Sequence, residues 1–126
     1  MMVYEKFTYP YVRRSLRKRY PKKMGWEIHI KDDPSNAFPD FLVERRTRKG
    51  FIERVIVEVK KATRITRQHV DQLNSYARHM AGENVRVVNK IMVVPSGSDV
   101  EKAPGDISII QLRKFWCMGD RIIHEI

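Results

Sequence analysis

The stretch DFLVERRTRKGFIERVIVEVK, residues 40–60, decides how the chain folds. Two runs rich in Val, Ile and Phe, residues 40–46 and 51–60, flank TRKG at 47–50. β-Branched and aromatic residues favour strands, and a short connection ending on glycine reads as a hairpin. Side chains alternate across a strand. Val55, Val57 and Val59 therefore share one face, and Ile56, Glu58 and Lys60 the other. An acid and a base stand side by side on one face of an apolar strand. The ordinary meaning of such a pair is a half-exposed strand with an ion pair on its outer side, because charged residues are mostly solvated. The neighbouring segments decide whether that meaning holds.

Ahead of the hairpin, Tyr9, Val12, Leu16 and Tyr20 recur at helical spacing. Pro10 suits a first turn and Pro21 ends the helix. Arg13, Arg14, Arg17 and Lys18 occupy its other side. WEIHI, residues 26–30, alternates as a strand, and KDDPSNAFP reads as a loop. After the hairpin the period changes again. Val70, Leu73, Ala77 and Met80 mark a helix over 66–82, with Thr66 as N-cap and Gly82 as its stop. KIMVVP (90–95) and ISIIQLRKFW (107–116) are further strands, joined by the loop 96–106. MGD turns the chain into a short last strand, RIIHEI. The order predicts an α/β fold, one mixed sheet flanked by helices, in a single domain spanning 1–126.

Composition narrows the partners. The chain carries 25 Lys and Arg against 15 Asp and Glu, a net charge of +10. That balance is expected of a protein that meets phosphates. The cations cluster in RRSLRKRYPKK (13–23), ERRTRKG (44–50) and KKATRITR (60–67), the last contributing Arg64 and Arg67. A merely solubilising surface is the competing meaning. Cys117 is the single cysteine, which excludes an intrachain disulfide and a cysteine metal cluster. No secretory apolar segment and no membrane-length apolar run is visible. The expectation is a cytoplasmic protein with no membrane partner. No Gly-rich phosphate loop is present, which excludes a nucleotide-driven motor of that type.

In an antiparallel hairpin the start of the first strand lies beside the end of the second. Asp40 can therefore meet Glu58 and Lys60 at one edge of the sheet. Two carboxylates about 4 Å apart repel by roughly 4 kcal/mol at an effective dielectric near 20. A divalent cation reverses that sign, and carboxylate oxygens are ligands Mg²⁺ prefers.

Pro39-Asp40, then Glu58-Val59-Lys60, then Gln72-x-x-x-Tyr76 on the following helix resembles the PD-(D/E)xK nuclease superfamily, in its RecB-like branch with a QxxxY motif. The likeness covers about residues 5–115. It implies a restriction endonuclease-like fold with an α-β-β-β-α-β core, and Mg²⁺-dependent hydrolysis of phosphodiesters, with Mn²⁺ able to substitute. It implies Asp40, Glu58 and the Val59 carbonyl as metal ligands, Lys60 as the group that positions water, and Gln72 and Tyr76 as further catalytic residues. The family often places an acid on the first helix. Here only Glu5 can serve, and only if the helix begins ahead of Pro10. DNA is the expected partner, with RNA as the alternative, bound through Arg13, Arg14, Arg17, Lys18, Arg64 and Arg67. A homodimer or a larger repair or recombination complex is a further expected partner. The competing function is a catalytically inactive nuclease-fold binding module or a basic assembly subunit.

Overall fold

The computed structural model describes residues 5–31 and 38–124, with side chains from Phe7 onward. Helix α1 (Glu5–Arg19) is followed by a short 3₁₀ turn (Lys22–Met24) and strands β1 (Glu27–Ile30), β2 (Phe41–Arg46) and β3 (Ile52–Val59). Helix α2 (Arg67–Met80) leads to β4 (Val85–Ser96), β5 (Ser108–Met118) and β6 (Arg121–His124). Among the described residues the strands form one six-stranded sheet in chain order, β1-β2-β3-β4-β5-β6. β1, β2 and β3 pair antiparallel, β3, β4 and β5 parallel, and β5 with β6 antiparallel. The fold is mixed α/β. The crossover through α2 supplies the long return that parallel pairing of β3 and β4 requires.

The alternation read in β3 sorts the core into two layers. Val55, Val57 and Val59 pack with Val12 and Leu16 of α1. Ile56 packs with Val70, Leu73 and Tyr76 of α2. One helix thus covers each face of the sheet. No described helix is long and apolar enough to cross a membrane.

The β2–β3 hairpin closes as its sequence dictates. Thr47 N–H donates to the Phe51 carbonyl at 2.7 Å and Phe51 N–H to the Thr47 hydroxyl at 3.1 Å. Gly50 adopts φ 87°, a left-handed value that favours glycine. Thr66 caps α2 as expected, accepting from the His69 amide.

Three boundaries differ from the expectation. Helix α1 begins at Glu5, so Pro10 lies inside it instead of in its first turn. A residue before proline is biased away from helix. Here Tyr9 is held helical by tertiary contacts, its ring edge-on to Phe41 at 4.9 Å. Strand β4 begins at Val85, five residues ahead of KIMVVP. Val87 pairs with Arg54 and Asn89 with Val55, so Val88 is an extra, bulged residue. A bulge breaks the alternation on which a periodicity reading depends. Helix α2 stops at Met80 with Ala81 extended, and Gly82 is not a left-handed cap. The left-handed residue is Asn84, φ 61°, which turns the chain into β4.

Candidate active site

Asp40 lies one residue before β2 and Lys60 one residue after β3, with Glu58 on β3 two residues before Lys60. The register pairs Phe41 with Val57, which sets Asp40 against Glu58. The Asp40 amide donates to Glu58 Oε1 at 2.8 Å. The Val59 amide donates to Asp40 Oδ2, also at 2.8 Å. Both acids are buried, Asp40 to 5% exposure and Glu58 to 4%. The Glu58 carboxylate is thus tied to the Asp40 backbone, and the Asp40 carboxylate to the backbone of the residue after Glu58, at the edge where the hairpin ends.

The opposite end of the same hairpin shows what an ordinary ion pair looks like. Arg45 meets Glu53 at 2.7 Å and Arg54 meets Glu44 at 3.1 Å, all four half-exposed cross-strand partners. Glu58 and Lys60 are a different kind of pair. Lys60 Nζ lies 3.5 Å from Glu58 Oε2, with side chains only 15% and 5% exposed. Lys60 also donates to Gln72 Oε1 on α2. Gln72 Nε2 in turn donates to the Tyr76 hydroxyl at 3.5 Å. Gln72 and Tyr76 are one helical turn apart and share a face, so α2 lays both side chains toward the site. Tyr76 is itself buried in the core layer beneath α2.

A further residue completes the cluster. The Tyr9 hydroxyl of α1 donates to Asp40 Oδ1. Sequence reading placed Tyr9 on the apolar face of a helix, which is true of its ring. A buried tyrosine ring still needs a partner for its hydroxyl, but nothing in the sequence names one 31 positions away.

Electrostatics follow from burial. Desolvation, and then the Asp40 charge, push the Glu58 carboxyl from its ordinary value near 4.5 up to about 7, against the Asp40 amide and Lys60, which pull it down. Burial and the two carboxylates also raise the Tyr76 phenol. Burial, and then the charge of Lys60, lower His69.

The donor set fits a hard divalent cation. The four carboxylate oxygens meet Tyr9, Val59, Asp40 and Lys60, and a carboxylate oxygen has a second lone pair to offer. Lys60 N–H bonds the Val93 carbonyl of β4, whereas Val59 N–H turns the other way, to Asp40. In an extended residue N–H and C=O point to the same edge, so the Val59 carbonyl faces the carboxylates. Among the described residues no three His, Cys, Asp or Glu side chains are grouped to share an ion. Glu5 opens α1, ahead of Pro10, and its side chain lies outside the described residues.

The basic residues divide. Arg13, Arg14 and Lys18 are exposed on α1. With Tyr9, Pro10, Arg17 and Ile30, the two arginines line a groove of about 580 Å³. Arg17 is committed to the fold, donating to the Trp26 carbonyl at 2.9 Å. Arg64 and Arg67 are exposed around the start of α2. His69 completes the capping box through its Nδ1 and stands within electrostatic reach of Lys60.

Comparison with protein-family models, curated proteins and solved structures gives no match.

Proposed function

We propose that this chain is a divalent-metal-dependent nuclease of the restriction endonuclease-like, RecB-like kind that its motifs resemble. The observation that carries the reading is the buried Asp40–Glu58 pair with Lys60 fixed between Glu58 and Gln72. A fold has little reason to bury two acids beside each other for stability, since desolvation offsets the attraction of even a well-paired charge. Asp40, Glu58 and the Val59 carbonyl would hold Mg²⁺ or Mn²⁺. When bound, the ion supplies charge neutralisation at a phosphate and a more acidic water.

The chain's own residues divide the remaining work. Lys60, oriented by Gln72, directs a water at phosphorus and offsets the charge that develops on the phosphate oxygens. Tyr9 and the Val59 amide keep the Asp40 carboxylate in one orientation. Tyr76 backs Gln72 and closes the site toward the core. The exposed cations of α1 attract the sugar-phosphate backbone of DNA, with RNA as the alternative, in a cytoplasmic setting. Incubation with linear duplex DNA, single-stranded DNA and RNA, each with Mg²⁺ or with EDTA, tests the reading. Metal-dependent cleavage of any substrate, lost in Asp40→Ala and Lys60→Ala, is the expected result. No cleavage by the native protein, or cleavage unaltered by both substitutions, overturns it.

A further inference from the structure

A concavity lies beside the carboxylate site, not on it. It is a groove of about 940 Å³, walled on one side by the β3–α2 connection and on the other by the β5–β6 turn and β6. Lys61, Arg64 and Arg121 line it, and Asp120 in the hairpin turn is the one acid of the lining. Among the described residues none of the three cations is in an ion pair. His69 forms part of the wall. Its Nδ1 accepts from the Thr66 amide at 3.1 Å, so the neutral ring carries its proton on Nε2. That nitrogen can only donate. The groove thus offers three cations and one neutral N–H donor.

We infer that this groove holds the sugar-phosphate backbone of a nucleic-acid strand next to the bond being cut, with Lys61, Arg64 and Arg121 on its phosphates and His69 as a hydrogen-bond donor to one of them. The inference rests on the nuclease reading for its connection to the site. Lys61 follows Lys60 directly in the chain, so the groove begins where the strand that carries the site ends. The volume is at the upper end of small-ligand pockets, and three cations stand in the lining beside Ala62, Ile122 and Ile123, which suits a polyanion passing through. The β5–β6 hairpin then has a functional role, because Arg121 is its contribution to the groove.

The test is binding of a fluorescein-labelled 20-nucleotide single-stranded DNA, and of the same sequence as RNA, followed by anisotropy in EDTA so that no metal-dependent cleavage intervenes. Three proteins are compared: the native chain, Arg64→Gln with Arg121→Gln, and Arg48→Gln with Lys49→Gln. The last pair removes two exposed cations from the opposite end of the β2–β3 hairpin, so both variants lose the same net charge. The groove pair is expected to weaken binding by roughly tenfold or more near 0.1 M salt and to lower the slope of log affinity against log salt by about 1.4, which is two single-strand phosphate contacts. The distal pair is expected to change affinity by less than about threefold. The DNA and RNA arms identify the backbone, and selective loss in either supports the groove. Equal losses in both variants mean a diffuse positive field and overturn the inference, as does a native chain that binds neither oligonucleotide. Displacement by polyglutamate as effective as by unlabelled oligonucleotide also overturns it, in favour of an acidic protein. Selective loss in a chain that cuts nothing defeats the nuclease reading and leaves the groove. Cleavage combined with equal losses does the reverse.

Discussion

Glu58 is placed where a carboxylate is costly to ionise, and this has a measurable signature. Its carboxyl titrates near 4.5 in an unfolded chain and at about 7 in the folded one. Between those values the native state binds the extra proton, so stability falls as pH rises through the interval and is flat above it. The deficit above pH 7 is on the order of 3 kcal/mol. Glu58→Gln is therefore expected to raise the melting midpoint at pH 8 by roughly 10 °C and to give no gain at pH 4. Mg²⁺ should narrow the difference at pH 8, because the native acid gains an ion the amide holds less well. Calorimetric melts at both pH values, with and without Mg²⁺, check all three outcomes. Lys60 should fail differently from its neighbour. Asp40→Ala and Glu58→Ala remove a ligand, so metal titration should show weaker binding as well as lost turnover. Lys60→Ala leaves both acids in place and removes a nearby cation, so Mg²⁺ should bind at least as tightly while single-turnover cleavage falls by a factor of 10² or more, on the order of one lost electrostatic contact to the transition state. A Lys60→Ala protein that cuts at the native rate returns the pair to the status of a structural ion pair.

At the scale of elements, α2 is the part that joins core to chemistry. Its buried face, Val70, Leu73 and Tyr76, fixes the helix on the sheet, and Gln72 beside that face holds Lys60. Gln72→Ala removes little packing, so its stability cost should stay below about 1 kcal/mol while cleavage falls at least tenfold; an urea melt and a rate measurement on one preparation separate the two. Much of this was legible in the sequence. The 3–4 spacing named both helices, the alternation in VIVEV sorted the core, and the hairpin geometry brought Asp40 to Glu58. Tyr9 was hidden because its partner lies on another element, and pattern reading sees only near neighbours. The start of β4 was hidden by the extra Val88, and the start of α1 by Pro10, whose local preference is overridden by Tyr9 packing on Phe41.

For the molecule as a whole, a net charge of +10 sets the strength and salt dependence of association. Affinity for an oligonucleotide should fall by roughly 10³ or more between 50 and 200 mM salt if six or more phosphates are neutralised, and a complex insensitive to salt would exclude the basic grooves as its seat. The cluster around Asp40 ties the residue ahead of β2 to α1 and β3, and Lys60 ties the end of β3 to α2. Two amides make the opening of this cluster observable. Asp40 N–H and Val59 N–H donate to carboxylates where strand amides elsewhere donate to carbonyls. Their deuterium exchange therefore times the parting of the two acids, in a chain with no substrate present. If the four elements hold as one cooperative unit, both amides exchange only as fast as the innermost strand amides of β3.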